Sequence, residues 1–331
     1  MKVLFNTYPV AFDCIGGGEI QLLESKAALE QLGADVLLYN SWNPQLRQSD
    51  VVHYFSVQGG SMNFCAYAKG LGLPLLISPI LWLTEENINS YPIEEIRDLL
   101  HLCDVILPNS EAEKHLLVDF FHVSPKKFFV IPNAVNRSFG IPVPADLFRA
   151  RFHVREQYLL NVANIEPRKN QLSLIRAARG LGLTVIIAGG VRDSAYYDAC
   201  MREGSGFVRH VGFLDHEGGL LKSAYTGCDA FLLPSLLETP GLAALEAASQ
   251  GCRVVVTSVG STKEYFHDLV TYVNPYDVDD IRAGIQMALR QPPDDTLRHY
   301  MLKTFTWDRA ARKLLEAYEL VNKWYTFQGQ V

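Results

Sequence analysis

Short apolar runs alternate with longer amphipathic stretches along most of the chain. Lys2–Thr7, Ala34–Tyr39, Asp50–Phe55, Leu73–Ser78, Asp104–Leu107 and Lys127–Ile131 read as strands. After the first of them comes Gly16-Gly-Gly-Glu19, and Ile20, Leu23, Ala27 and Leu32 then keep helical spacing up to Gly33. Ser110–Phe121 is a second amphipathic helix, and Ser110 with Glu113 forms a Ser-x-x-Glu capping box at its start. Strand and helix in alternation predict a parallel sheet covered on both faces.

The rhythm breaks between Pro132 and Tyr158, a stretch holding Gly140, Pro142 and Pro144, and the domain linker is placed there. It then resumes with strands at Tyr158–Ala163, Thr184–Ala188, Gly206–Val211, Asp229–Leu233, Arg253–Thr257 and Leu269–Val273. Helices fall between them, for example Gln171–Leu181 and Glu217–Thr226. The expectation is two Rossmann-like α/β domains, residues 1–140 and 156–305, facing across a cleft. A last amphipathic helix at residues 308–325 is expected to complete the first domain.

Length and composition agree with this division. The chain has 331 residues, natural for two domains of about 150 each. It is 48% apolar and 20% charged, and no apolar run reaches the roughly 18 residues of a membrane span. Six cysteines are scattered without a Cys-x-x-Cys pair, as small buried hydrophobes in a reducing cytoplasm would be. The net charge of −6 arises in the first 150 residues, with 10 Lys and Arg against 16 Asp and Glu; the remainder is balanced at 20 against 20. Nucleic-acid binding, which needs a basic face, is therefore not expected. Lys126-Lys127 beside Phe128-Phe129 leaves room for a peripheral membrane contact at the inner face.

Three stretches could carry chemistry. The glycines at 16–18 follow a strand and open a helix, but not in G-x-G-x-x-G spacing. The second strand also ends Leu38-Tyr39-Asn40, without the acidic residue of a dinucleotide site. A flexible turn and a close backbone approach to a ligand both fit them. Arg168 and Lys169 fall at the amino end of a helix, where the dipole disfavours cations. Either they cradle a diphosphate or they are a solvated pair on a turn. Phe231–Glu246 reads as strand, loop and helix, with Glu238 on the loop and Glu246 just past the helix opening at Pro240-Gly241. A carboxylate such as Glu246 suits a ribose diol, and Glu238 a second sugar beyond the phosphates. Together the three stretches imply a site for a nucleotide diphosphate sugar.

The same residues resemble the family 4 retaining glycosyltransferases, of GT-B fold and the glycosyl transferases group 1. The resemblance runs through Gly16-Gly-Gly-Glu19, Asp50-Val-Val-His53, Pro108-Asn-Ser-Glu-Ala-Glu113, Ile131-Pro-Asn-Ala-Val135 and Glu166-Pro-Arg-Lys169. It continues in Phe213-Leu-Asp215, Leu233-Pro-Ser235, Glu238-x7-Glu246 and Trp307-Asp308. It implies that Glu238, Lys169 and Arg168 act on the donor sugar and its diphosphate, and that Glu246 holds the ribose. Gly17 and Gly18 would approach the diphosphate, Gly241 and Leu242 would offer backbone N–H groups, and backbone at His210 and Val211 would hold the base. Asn164 stands in the donor site where relatives carry arginine, and Ile77-Ser-Pro-Ile-Leu-Trp82 lacks the histidine that often lines the sugar site. His53 reads as a core histidine.

The resulting expectation is a hexosyltransferase-type enzyme that needs no metal or other cofactor. It would use a nucleotide-sugar donor and a glycan, lipid-linked or other hydroxyl acceptor in polysaccharide or glycoconjugate synthesis. A non-catalytic nucleotide-sugar-binding subunit, and a phosphorylase or epimerase relative, are the alternatives. Acceptor choice is expected in the loops Gln58–Asn63 and Leu83–Pro92.

Overall fold

Continuous apolar runs become strands buried on both faces, as a parallel sheet requires. The computed structural model describes residues 1–13, 15–57, 60–85, 87–216, 218–292 and 294–328. Cys14, Gln58 and Gly59 of the expected acceptor loop, Glu86 of the second such loop, and Glu217 at an expected helix start lie outside these. The chain divides into two compact units: Met1–Ala134 with the chain from Trp307 onward, and Val135–Thr306.

The first unit holds strands β1 (Lys2–Asn6), β2 (Asp35–Leu38), β3 (Val51–Phe55), β4 (Leu75–Ser78) and β5 (Val105–Ile106) in the order β2-β1-β3-β4-β5. All their pairings are parallel. Helices α1 (Gly17–Gln31), α2 (Ser61–Gly70), α3 (Ile93–Leu102) and α4 (Glu111–Phe121) connect them. The strand expected at Lys127–Ile131 is not one. Pro125–Lys127 is a 3-10 turn, and the segment only touches β5's line through a bridge between Ile106 and Phe128. The Lys127 ammonium instead donates to the carbonyls of His101 and Cys103 at 2.5 and 2.8 Å, neutralising the end of α3.

Two of the expected helix signals act differently from one another. Ser110 caps α4 by accepting the Glu113 N–H at 2.9 Å. Glu113 is fully buried, and its carboxylate accepts the N–H groups of Asn109 (2.6 Å) and Leu81 (3.1 Å). It thereby ties the end of β4 to α4.

The second unit holds β6 (Tyr158–Val162), β7 (Thr184–Ala188), β8 (Val208–His210), β9 (Ala230–Leu233), β10 (Val254–Thr257) and β11 (Thr271–Val273). Their order is β11-β10-β9-β6-β7-β8, again all parallel. Its helices are α5 (Asp146–Phe152), α6 (Gln171–Ala178), α7 (Ser194–Glu203), α8 (Gly219–Gly227), α9 (Leu242–Ser249), α10 (Thr262–Phe266), α11 (Val278–Arg290) and α12 (Thr296–Thr304). Alternate strand residues serve two cores: Leu160, Ile186, Phe231 and Val256 on one face, Leu159, Val185, Leu232 and Val255 on the other. The expected linker at 132–158 belongs largely to this unit. Its prolines break the pattern, but Phe139, Phe148 and Val154 are buried anchors of the first of those cores.

The last helix, Trp307–Gln328, packs against α1 in the first unit. Ala310, Ala311, Leu314, Ala317, Tyr318 and Val321 form its buried stripe at helical spacing. Burying Leu314 and Val321 contributes roughly 1.5–3 kcal/mol each. The Tyr318 hydroxyl lies 2.7 Å from Nδ1 of His53, whose Nε2 lies 2.9 Å from the Ser78 hydroxyl. His53 is thus a core residue on β3, and burial lowers its pKa from 6.5 to about 3. The folded pKa lies below the unfolded one, so stability is full above pH 6.5 and falls as pH drops from 6.5 towards 3. Urea unfolding of wild type and His53→Gln should show their stabilities converging by up to about 1.4 kcal/mol per pH unit through this window.

Candidate functional site

In the second sheet, β7 and β8 extend from β6 on one side, and β10 and β11 extend from β9 on the other. The connections leaving β6 and β9 therefore run to opposite sides, which makes their carboxyl ends the topological switch point, the place where open α/β sheets bind ligands. The loop after β6 carries Arg168 and Lys169; the loop after β9 carries Glu238.

These loops meet in an ion pair. Lys169 Nζ lies 2.5 Å from Glu238 Oε1, with both side chains largely buried. The backbone explains why they meet. Pro167–Lys169 forms one 3-10 turn, ended by Asn170 at φ 58°, a conformation asparagine tolerates. The buried Asn170 amide donates to the carbonyls of Pro234 (3.0 Å) and Pro275 (2.7 Å). Leu236 N–H then donates to Arg168 O at 2.9 Å, so the two loops are joined at three levels. Glu238 is held from its other side: its N–H donates to Val259 O (3.3 Å) and its carbonyl accepts Ser261 N–H (3.0 Å).

Two glycines permit this packing. A Cβ on Gly260 would stand 2.1 Å from Glu238 O, and one on Gly241 would stand 2.7 Å from Leu233 Cδ2 and 3.1 Å from Glu238 Oε2. Both have positive φ, 101° and 88°. Burial by itself would raise the Glu238 pKa, but the charges of Lys169 and then Arg168 outweigh it and hold the carboxyl below its ordinary value. Burial lowers the Lys169 pKa, and the neighbouring Arg168 charge adds to that, against the attraction of Glu238.

Glu246, the fifth residue of α9, is buried in a cluster of its own. Its Oε2 accepts the hydroxyl of the fully buried Tyr225 at 2.8 Å, and its Oε1 lies 2.6 Å from Nε2 of His216. Phe139 packs against both rings, with centroids 5.4 Å from His216 and 6.2 Å from Tyr225. The Tyr225 pKa is pushed well above 10 by burial and by the Glu246 charge, so its hydroxyl remains a donor.

The other expected site residues are placed as follows. Arg168 is half exposed and pairs with Glu166 at 2.9 Å, which Arg192 also approaches at 3.5 Å. Asn164 Oδ1 accepts Gly190 N–H at 3.3 Å, joining the ends of β6 and β7. His210 Nε2 lies 2.8 Å from Gly189 O, and Val211 donates its N–H to Ile187 O at 3.0 Å. Leu242 opens α9, with Gly241 as its N-cap. Gly17 and Gly18 open α1 in the first unit, where the Glu19 carboxylate accepts Gly16 N–H at 2.7 Å. Among the described residues no cluster of His, Cys, Asp and Glu is arranged to hold a metal ion, and no helix is long and apolar enough to cross a membrane.

Sequence reasoning missed Asn170, Tyr225, His216 and Phe139. Asn170 had a signal, since an asparagine between a 3-10 turn and a helix marks a left-handed position. The other three come from separate elements and meet only in three dimensions.

Residues 144–304 match the family model described as Glycosyl transferases group 1. The O-antigen chain mannosyltransferase B of Escherichia coli is 26% identical over 250 residues, 70% of this chain and 64% of that one. A D-inositol 3-phosphate glycosyltransferase of Actinosynnema mirum is 30% identical over 246 residues, 65% of this chain and 57% of that one. The chain thus spans little more than half to under two thirds of these relatives' lengths. Among solved structures, sucrose-phosphate synthase from Thermosynechococcus elongatus superposes with a TM-score of 0.79 at 17% identity, over 97% of this chain and 99% of that one. Anabaena HepE in complex with UDP and glucose gives 0.74 at 16%, over 96% and 99%. The shared architecture, two Rossmann-like parallel-sheet units, is the GT-B fold. The match to the glycosyl transferases group 1 model falls within the second unit, the part of the chain that carries Lys169, Glu238 and Glu246.

Proposed function

We propose that the chain is a family 4 retaining glycosyltransferase that moves a sugar from a nucleotide diphosphate sugar to a hydroxyl acceptor, with a glycan or lipid-linked sugar as the acceptor class. The observation that carries this reading is the buried Lys169–Glu238 pair at the switch point of the second sheet. A cation and a carboxylate held together there can each take a different part of one ligand. The ammonium faces a diphosphate, while the carboxylate accepts sugar hydroxyls. The amino end of α9, opening at Gly241, offers N–H groups and a positive dipole end to the same anion. HepE, of similar fold, is described in complex with UDP-glucose, which supports a nucleotide-sugar donor.

In the proposed reaction the bond between the sugar's anomeric carbon and the diphosphate oxygen breaks. The acceptor oxygen bonds to that carbon from the same face, and its proton passes to the departing phosphate oxygen. Lys169 and the α9 N-terminus stabilise the charge that develops on the diphosphate, with no divalent cation assigned to the step. Arg168 would add to this after leaving Glu166, Glu238 orients the sugar, and Glu246 holds the ribose. Asn164 contributes no charge to the anion; its side chain ties the β6 and β7 ends together. That loss is the observation favouring a second reading, a non-catalytic nucleotide-sugar-binding subunit.

Release of nucleoside diphosphate in the presence of a mixed glycan and lipid-linked acceptor pool separates these readings. Turnover should need acceptor, and Glu238→Gln should lower kcat about a hundredfold, in the range for loss of one transition-state partner. Donor binding without turnover under all conditions would favour the subunit reading, and unchanged turnover in Glu238→Gln would remove Glu238 from the reaction. The ion pair itself makes a separate prediction. Lys169→Met leaves a buried carboxylate unpaired and should cost about 3 kcal/mol in urea unfolding, part of which Lys169→Met/Glu238→Gln should restore.

A further inference from the structure

Glu246 reaches its site from a helix by a flexible side chain, and its terminal torsion is intrinsically broad. A carboxylate that is to meet two neighbouring hydroxyls must have its plane fixed. Two donors fix it here, one on each oxygen: the Tyr225 hydroxyl on Oε2 and the His216 imidazole on Oε1. Because the acceptor is a carboxylate, Nε2 is the protonated nitrogen of His216 whatever the charge of the ring. The two donors differ in position. Tyr225 is fully buried, whereas the His216 side chain is 21% exposed against 7% for Glu246, so the imidazole is the more solvent-accessible of the two donors. Phe139 packs on both rings and limits their movement.

A carboxylate has about four lone-pair positions, of which these two bonds use two. About one is left on each oxygen, the pattern that a pair of vicinal hydroxyls would meet. We propose that His216 is a positioning residue that, with Tyr225, aims Glu246 at the 2′,3′-diol of a ribonucleotide and so selects ribonucleotides over 2′-deoxyribonucleotides. This rests on the assignment of Glu246 to the ribose made above. His216 lies between β8 and α8, on a turn outside the sheet. It has no place in the proposed transfer step, yet it holds one oxygen of the carboxylate on which nucleotide recognition depends.

The test is calorimetric titration of the full chain with UDP, GDP and ADP and their 2′-deoxy counterparts, in wild type, His216→Ala and His216→Gln, with melting temperatures taken alongside. For the base that binds, wild type should prefer the ribonucleotide by roughly tenfold or more, the size of one hydrogen bond to a charged group. His216→Ala should weaken the ribonucleotide roughly tenfold and the deoxyribonucleotide less than about twofold, so that the preference collapses. His216→Gln keeps an N–H donor and should regain most of the preference. Three results would overturn the proposal: a preference that survives His216→Ala, tighter ribonucleotide binding in that variant, or equal loss of both nucleotides. If wild type binds none of the nucleoside diphosphates, the donor-site reading itself falls. If it binds with a preference that His216→Ala leaves intact, only the role of His216 falls.

Discussion

Glu238 and Lys169 are each buried too deeply to carry a charge alone, and the turns around them are shaped by keeping the two together. Asn170 adopts a left-handed backbone so that its amide can pin the lysine-bearing turn to Pro234 and Pro275. Gly260 and Gly241 are bare because the backbone and carboxylate of Glu238 occupy the space a side chain would need. Four connections, after β6, β9, β10 and β11, are thereby locked to one another at the carboxyl edge of the sheet. Such a cluster costs desolvation energy that apolar residues of the same size would avoid, which is the expected mark of a binding site rather than of a core.

The two glutamates eight positions apart work in different surroundings. Glu238 sits on a loop against a cation, so burial and Coulomb attraction compete over its proton and attraction wins. Glu246 sits on a helix between a tyrosine and a histidine that donate to it, with an aromatic wall behind them. A ligand with phosphates at one end and hydroxyls at the other matches that division: the cation lies beside Glu238, and Glu246 meets a hydroxyl and an imidazole.

Much of the fold was legible because a parallel sheet buried on both faces writes its strands as unbroken apolar runs, as at Val51–Phe55 and Ala230–Leu233. The reading failed where local pattern and tertiary role part company. Lys127–Ile131 looks like a strand, but its lysine caps a helix and its backbone pairs at a single bridge. The proline-rich stretch at 132–158 looks like a linker, but Phe139 and Phe148 draw it into the core of the second unit. In the site, Lys169, Glu238 and Glu246 stood out as charges at strand–helix junctions. Tyr225 and His216 did not, because a tyrosine on an ordinary helix and a histidine on a turn carry no local sign of the carboxylate they meet.

The central claim is that the second unit binds a nucleotide diphosphate sugar through Lys169 and its surroundings. Thermal unfolding of the full chain against UDP-, GDP- and ADP-sugars tests it most directly. A donor at a hundredfold over its dissociation constant stabilises by about 2.7 kcal/mol, which is roughly 5 to 10 °C in melting temperature for a unit of this size. One class of donor should produce that shift in wild type and lose it in Lys169→Met, measured from that variant's own melting temperature. No shift with any nucleotide sugar, or an undiminished shift in Lys169→Met, would contradict the account.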